Sequence, residues 1–188
     1  MNRGMEASKP KLPALEANLP IILVPHRPEW EQLFNHEAAR IADCFGNNLL
    51  KIEWIGSTAI PGICAKPIID MIPVVEAMNA VDAITAKMEA LGYHAMGAFG
   101  MPRRRYFIRI VNKDEGYHVH TFEKNNPEVT RHILFRDYMR AHPDEAKAYG
   151  ALKEKLGEAF RDDRMAYCHG KTAFIESIDK KALAWATS

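Results

Sequence analysis

Residues 55–70 read IGSTAIPGICAKPIID, and the interpretation of the whole chain depends on this stretch. It leaves one apolar segment, turns at Gly56 and Ser57, and enters a second apolar segment that contains Asp70. Glycine lets a backbone approach a phosphate closely, and a carboxylate on the next strand can hold a divalent metal beside that phosphate. The alternative is a tight turn between two buried strands. The pattern is short and common, so taken alone it favours the turn.

The glycines of this stretch do not form a P-loop. That motif needs four residues between its glycines and a Lys-Ser/Thr pair after the second, whereas Gly56 and Gly62 are separated by five residues and no lysine follows. A second candidate, Gly170-Lys171-Thr172, has Met165 at the position of the upstream glycine. The HExxH, GxSxG and GxGxxG motifs are also absent from the sequence, which argues against several hydrolase and dehydrogenase classes.

Helix and strand patterns alternate around the loop. A helix is predicted over residues 26–46, since Pro28 suits an opening turn and Gly46 a stop. Apolar runs over residues 48–56 and 66–75 predict two strands. The second run is almost continuously apolar, which predicts a central strand buried on both faces.

The next segments continue the mixed pattern. The apolar spacing over residues 79–93 predicts a helix with Gly92 as its cap. Residues 105–111 and 116–123 predict two strands joined by the turn sequence NKDEG, which is typical of an antiparallel hairpin.

From residue 126 onward the pattern is helical. Asn126 and Pro127 suit the N-cap and the first position of a helix. The predicted buried stripe of the following helix, residues 143–160, consists of Tyr149, Leu152, Leu156 and Phe160.

These elements define an α/β (α+β) fold, a mixed sheet flanked by helices with a C-terminal helical portion. We predict a flexible N-terminal extension over residues 1–20, an α/β core over 21–125, and a helical portion over 126–188 packed on that core.

Composition restricts the possible partners. The 188 residues are 47% hydrophobic and 26% charged, with a formal net charge of +1, so non-specific nucleic-acid binding is not expected as the main activity. No apolar run is long enough for a membrane span. The three cysteines are widely spaced and lack a CxxC pair, which fits a reducing cytoplasm. The sequence does not indicate the oligomeric state.

Two histidines on the last predicted strand are candidate catalytic or metal-binding residues. Strand alternation places His118 and His120 on the same face, where two imidazoles near a carboxylate can ligate a metal or transfer protons. A histidine pair on the surface of a hairpin is often inert, and that interpretation stays open here.

Several basic residues are candidate phosphate ligands. The sequence PRRRYF brings Arg104 and Arg105 together, and guanidinium groups bind phosphate oxygens in pairs. Lys66 precedes the central strand and reaches a phosphate or is simply exposed. Arg131 and Lys171 lie in the helical portion, where Arg131 also has acidic neighbours with which to pair.

The ordered set IEWIGSTAIPGICAKPIID, PRRRYF, YHVH, FRDYMRAHPDEAKAYGALK and YCHGKTAFI resembles the GrpB family, a group placed in the nucleotidyltransferase superfamily. The resemblance extends from Pro28 to about Ile178. The superfamily pattern is Gly-Ser, a gap, two carboxylates flanking one apolar residue, and a later acid. Here Asp70 matches the first carboxylate, Ile72 occupies the second position, and the later strand carries histidines.

The resemblance implies a nucleotidyltransferase-like protein that binds a nucleotide or another phosphorylated small molecule and transfers a nucleotidyl group to an acceptor. A divalent metal (Mg, Mn or Zn) and catalysis are assigned to Asp70, His118 and His120. The phosphate-binding residues under this hypothesis are Gly56, Ser57, Lys66, Arg104, Arg105, Arg131 and Lys171.

Two other functions remain open. The absence of a carboxylate at Ile72 fits a binding module without catalysis, because two-metal phosphoryl transfer needs ligands for both ions. A hydrolase with one metal on His118, His120 and Asp70 is the third hypothesis.

Overall fold

The structure is a computed structural model that describes residues 20–112 and 115–187. The predicted extension over residues 1–20 lies outside these ranges except for Pro20. Within them the helices are α1 (Glu29–Phe45), α2 (Met78–Ala83), α3 (Thr85–Ala90), α4 (Pro127–Ala141), α5 (Pro143–Ala159), α6 (Arg164–Gly170) and α7 (Thr172–Ala186). The strands are β1 (Leu49–Ile55), β2 (Ile68–Val75), β3 (His94–Ala95), β4 (Arg105–Ile110) and β5 (Gly116–Glu123).

The strands form one mixed sheet in the order β1-β2-β5-β4-β3. Only the β2–β5 pair is parallel within the described sheet, and the other neighbours are antiparallel. Parallel neighbours need a crossover connection, which α2, α3 and the β3–β4 pair provide. The central position of β2 and the β4–β5 hairpin confirm the sequence predictions.

One face of the sheet carries the larger core. Ile69 and Met71 of β2 and Phe107 of β4 pack there with Trp30 and Ile41 of α1. Because side chains alternate along a strand, neighbouring residues of β2 and β5 point to the opposite face.

The opposite face is covered by the helical portion. Ile72, Val74 and Phe122 pack with Val129 of α4. The loop after β1 contributes Ile60 and Ile63 to a further cluster with α4, α5 and α7, formed with Tyr138, Met139, Ala146, Tyr149, Ile178 and Ala182. The helices therefore pack on the sheet through both a strand face and this loop.

The predicted fold class is confirmed, with local differences. Gly46 follows α1, and the Asn126 side chain caps α4 by accepting from the Glu128 N–H, as expected. The helix predicted over residues 79–93 is divided at Ile84 into α2 and α3.

The predicted buried stripe of α5 is wrong in part. The residues this helix buries are Ala146, Tyr149, Gly150, Lys153 and Gly157, whereas Phe160 is exposed. The contact of this helix with the loop after β1 includes a glycine, since a Cβ added at Gly150 would lie 3.5 Å from Ile63.

No helix of the described residues is long and apolar enough to cross a membrane. The division into core and helical portion and the cytoplasmic location stay predictions.

A buried carboxylate connects α1 to the sheet. Glu37 is 1% exposed and accepts from the Tyr93 hydroxyl at 2.8 Å, from Arg40 at 2.8 Å and from Arg109 at 2.9 Å. Tyr93 precedes β3 and Arg109 lies on β4, so one side chain holds three segments together.

We predict that Glu37→Ala lowers the free energy of unfolding by about 3 kcal/mol, because it leaves two guanidinium groups and a buried phenol without their acceptor. Urea denaturation measures the change. Gln32→Ala on the exposed side of the same helix is the control and should stay within about 0.5 kcal/mol of wild type. A loss below about 1 kcal/mol for Glu37→Ala would show that the network contributes little.

Candidate functional site

Three side chains that can ligate a metal meet on the face of the sheet that the C-terminal helical portion covers. Asp70 of β2 is directly opposite His118 of β5, and His120 is two residues further along the same face. Asp70 Oδ1 lies 3.3 Å from His118 Nδ1 and 3.3 Å from His120 Nε2. One ligand atom from each residue falls within 4.8 Å of the other two. We call these three residues the His–Asp cluster, and it confirms that the two histidines share a face.

The cluster favours a charged carboxylate. Burial would raise the pKa of Asp70, but hydrogen bonds from His118 and His120 outweigh it and hold that pKa far below its usual range. Burial lowers the pKa of His120, and the nearby Asp70 only partly offsets this effect. The cluster therefore offers an anionic oxygen beside imidazole nitrogens, as a metal ligand set requires.

Gly56 places the backbone directly against the Asp70 carboxylate. Its φ of 73° and ψ of −173° belong to a region that is essentially restricted to glycine. A Cβ at this position would lie 2.5 Å from Asp70 Oδ2. The glycine is thus required both by its conformation and by the space that the carboxylate occupies.

A cavity of about 290 Å³ opens beside the cluster. We call it the lysine cavity, and its lining residues are Ser57, Thr58, Lys66, Ile68, Asp70, Tyr106, His118, Lys153, Arg164, Tyr167, Cys168 and Lys171. Lys66 comes from the loop before β2, whereas the other three basic residues come from the helical portion. Among residues 20–112 and 115–187, four cationic side chains and one carboxylate, that of Asp70, therefore line this space.

Lys153 of α5 is the most buried of these cations. It is 2% exposed, and its Nζ has no hydrogen-bond partner among the described residues. The Nζ faces the Tyr149 ring, 5.1 Å from the centroid. Burial, with the neighbouring charges of Lys171 and Lys66, lowers the pKa of Lys153 to about 7.

Two other cations of the cavity, Lys66 and Lys171, also have lowered pKa values. Burial and the charges of Arg164 and Lys171 lower the pKa of Lys66 to about 8. Burial likewise lowers the pKa of Lys171, whose Nζ lies 4.3 Å from the Tyr167 ring centroid. The cavity is therefore short of negative charge, and an anion entering it would relieve this repulsion.

Ser57 is the first residue of the short turn after β1, and it also lines the lysine cavity. Burial raises the pKa of the buried Tyr149 to about 12, while a hydrogen bond with Ser57 acts in the opposite direction. The hydroxyl of Ser57 is thus held between the loop and α5.

The structure brings most of the predicted site residues together. Ser57, Lys66, Asp70, His118 and Lys171 line the lysine cavity, with Gly56 and His120 against Asp70. Arg104 adjoins the cluster without lining the cavity. Its guanidinium donates to the carbonyls of Ala98 and Phe99, lies over the Tyr106 ring, and comes within 3.4 Å of His120 Nδ1.

Two predicted phosphate ligands lie elsewhere. Arg105 forms an ion pair with Asp82 of α2, because alternation along β4 directs it to the face opposite Tyr106. Arg131 of α4 pairs with Glu128 at 2.7 Å and with Asp179 of α7 at 3.2 Å. Neither residue is part of the cavity lining, so the phosphate-binding role predicted for them finds no support in their positions.

Several residues of the cavity were not predicted from the sequence, namely Lys153, Arg164, Tyr167 and Cys168. One signal for Lys153 was available, since it follows Tyr149 by four residues and therefore shares its face of α5. A lysine on a buried helix face is unusual, because lysine is rarely fully buried without a partner. Arg164, Tyr167 and Cys168 lie on α6, a short helix that the sequence pattern did not predict.

Comparison with known proteins gives the family. A family model described as GrpB protein matches residues 20–181. The chain is 40% identical over 163 residues to UPF0157 protein YqkA of Bacillus subtilis, and this match covers 87% of the chain and 47% of YqkA. It is 33% identical over 169 residues to UPF0157 protein BH1888 of Halalkalibacterium halodurans, covering 89% of the chain and 85% of that protein. The chain belongs to the GrpB family.

A solved structure has the same fold. The crystal structure of conserved protein GrpB from Enterococcus faecalis superposes with a TM-score of 0.84 at 39% identity, covering 89% of this chain and 100% of that one. The chain spans about half the length of YqkA, so the relative contains further sequence beyond the shared region.

The clash that a Cβ at position 56 would make with Asp70 gives a testable prediction with a matched control. Gly56→Ala should lower the free energy of unfolding by at least about 2 kcal/mol more than Gly62→Ala, because both glycines have positive φ (73° and 77°) but only Gly56 faces a carboxylate. The added methyl group should also displace Asp70 and shift the imidazole NMR signals of His118 and His120. Gly62 has no atom within 4 Å of an added Cβ, so Gly62→Ala should leave those signals unchanged. Equal effects of the two substitutions would contradict the proposed packing.

The buried charge of Lys153 gives a second prediction. Between about pH 7 and the ordinary lysine value of 10.5, the unfolded chain binds more protons here than the folded chain, so wild-type stability should rise with pH across this window. Lys153→Met fills similar space without charge, and we expect it to be about 2 kcal/mol more stable than wild type at neutral pH. That difference should shrink as the pH approaches 10.5.

Urea denaturation across this pH range measures the effect. Lys147→Met, on the exposed side of the same helix, is the control and should change stability by less than about 0.5 kcal/mol. Destabilisation by Lys153→Met at every pH would mean that the ammonium has a stabilising partner in the free protein.

Proposed function

We propose that this protein binds a nucleotide or another phosphorylated small molecule in the lysine cavity, together with a divalent metal at the His–Asp cluster. We further propose that it transfers a phosphate-linked group, a nucleotidyl group in the form that the family resemblance implies. The observation that carries the proposal is the Lys153 ammonium, which is buried without a hydrogen-bond partner in the described part of the chain and shares its cavity with three more cations.

The charge of the cavity supports an anionic ligand. A buried charge without a partner is costly, and this cost is offset when an ion of opposite sign occupies the same space. Phosphate oxygens accept hydrogen bonds from several ammonium and guanidinium groups at once. A phosphate group near Lys153 would raise its pKa again, so binding near neutral pH should take up a proton.

The His–Asp cluster fits a divalent transition ion. Asp70, His118 and His120 offer two imidazole nitrogens and one carboxylate oxygen. This donor set suits Zn or Mn better than Mg, since Mg prefers oxygen ligands. Three protein ligands leave coordination positions for a phosphate oxygen or water.

Each part of the site has a separate role under this proposal. The metal, when bound, would polarise a phosphoryl oxygen as a Lewis acid. Lys66, Lys153 and Lys171 would bind and neutralise the phosphates. The Gly56 backbone lies against the Asp70 carboxylate and limits its position.

The absence of a second carboxylate favours a one-metal site. Ile72 is fully buried in the core with Phe122 and Val129. Glu53, an alternative acid, pairs with Arg136 at 2.9 Å, and Glu123 accepts from the Met78 N–H. None of these residues is part of the cavity lining.

The same cluster supports a second candidate function, hydrolysis with a single metal. Two histidines and one aspartate with open coordination positions are the ligand set of many such enzymes. Transfer and hydrolysis would differ in the attacking group, which is an acceptor in the first case and water in the second.

Isothermal titration calorimetry with pyrophosphate and with ATP, GTP, CTP and UTP, with and without Mn²⁺ or Zn²⁺, tests the proposal. We expect wild type to bind, Lys153→Met to weaken binding at least about tenfold, and Lys147→Met to leave it unchanged. Asp70→Asn should retain metal-free pyrophosphate binding and lose the increase that the metal gives. Failure of pyrophosphate and all four nucleotides to bind wild type would refute the proposed function.

Turnover separates the candidate reactions. Radiolabelled nucleoside triphosphate would transfer label to an acceptor in the first case and release it to water in the second, and Asp70→Asn should stop both. Binding without turnover under any metal would identify a non-catalytic module. Elemental analysis of protein purified without a His-tag should give well above about one tenth of an equivalent of metal if the site is tight.

A further inference from the structure

A narrow apolar groove continues from the lysine cavity. Its walls are built mainly by Pro20, Ile22, Pro67, Ile68, Ile108 and Ile110. Lys66, Ile68, His118 and Arg164 line both the groove and the cavity, so the two spaces join. If the phosphate of a ligand contacts the lysines, the rest of the ligand would therefore extend into the groove.

The polar residues that β4, β5 and their connection contribute away from the cavity, Arg109, Asn112 and Glu115, are engaged with other protein groups. Arg109 donates to Glu37 at 2.9 Å on the opposite face of the sheet. Asn112 donates to the Glu115 carboxylate at 2.9 Å. Apart from the residues that it shares with the lysine cavity, the groove therefore offers a ligand mainly hydrocarbon, from the segment before α1, the start of β2 and β4.

We propose that the ligand is a phosphate ester whose other end is a short aliphatic group, with the phosphate in the lysine cavity and the aliphatic group in the apolar groove. This inference rests on the phosphate site of the proposed function and specifies its ligand as a phosphorylated small molecule other than a nucleotide. The groove has a volume of about 40 Å³, room for roughly three waters, which corresponds to about three or four carbon atoms. A nucleoside is much larger, and its ribose hydroxyls would face isoleucine side chains without hydrogen-bond partners.

The experiment measures affinity along a homologous series by calorimetry. The probes are inorganic phosphate, the methyl, ethyl, propyl and butyl esters of phosphate, glycerol 3-phosphate and AMP. Each methylene group that becomes buried should increase the affinity up to about fourfold, and the increase should stop when the groove is full. Glycerol 3-phosphate, with hydroxyl groups on a chain of similar length, should bind no better than methyl phosphate.

Substitutions in the groove test where the aliphatic group of the ligand lies. Ile110→Thr and Ile22→Ser, on opposite walls, should remove most of the gain from propyl and butyl phosphate and leave inorganic phosphate affinity unchanged. Val111→Thr is the matched control, since Val111 is 50% exposed next to Ile110 and is not part of the groove lining. It should behave like wild type with every probe.

The outcomes separate this inference from the proposed function. Phosphate binding with no dependence on chain length would overturn the aliphatic ligand and leave the phosphate site intact. AMP binding more tightly than butyl phosphate and unaffected by Ile110→Thr would also overturn it, in favour of a nucleotide. If neither phosphate nor any ester binds wild type, both the inference and the proposed function are wrong.

Discussion

The parallel pairing of β2 with β5 is the constraint on which the rest of the site depends. It sets Asp70 opposite His118, and the alternation of side chains then adds His120 on the same face. A shift of one residue in this register would turn the histidines toward the α1 side of the sheet. The pairing is held by apolar residues further along the same strands, where Val74 pairs with Phe122. The polar cluster is therefore positioned by the core that begins two residues beyond it.

The helical portion completes the site rather than merely covering the sheet. Three of the four cavity cations belong to α5, α6 and the α6–α7 junction. The loop after β1 is held against α5 and α7 by Ile60 and Ile63. The charges of Lys153, Lys66 and Lys171 repel one another, so this packing works against electrostatics. A folded state that maintains such repulsion gives up stability for a charge distribution that attracts an anion.

Some of the site could be predicted from the sequence because it follows from strand geometry. The shared face of His118 and His120 follows from the alternation of side chains along a strand. The proximity of Asp70 to them requires in addition that β2 is a central strand. The position of Arg105 could not be predicted in this way, because alternation fixes the relative orientation of residues along β4, whereas the absolute orientation depends on which face of β4 meets the helical portion. Lys153 could not be identified from charge alone, since a lysine in a helix is ordinarily solvated. Its burial is a tertiary effect, since α5 buries it together with Tyr149 and Gly150.

The residue at position 72 shows how the core limits the chemistry. A second metal ligand there would have to replace a fully buried isoleucine that packs with Phe122 and Val129 under α4. A carboxylate in that position would lose its hydration without gaining a partner, at a cost of several kcal/mol. The two ions of a two-metal mechanism stabilise the attacking and the leaving oxygens of the displacement, and part of this effect is electrostatic. Under the proposed function, the four cationic side chains of the lysine cavity would supply part of the electrostatic stabilisation that the core denies to a second metal.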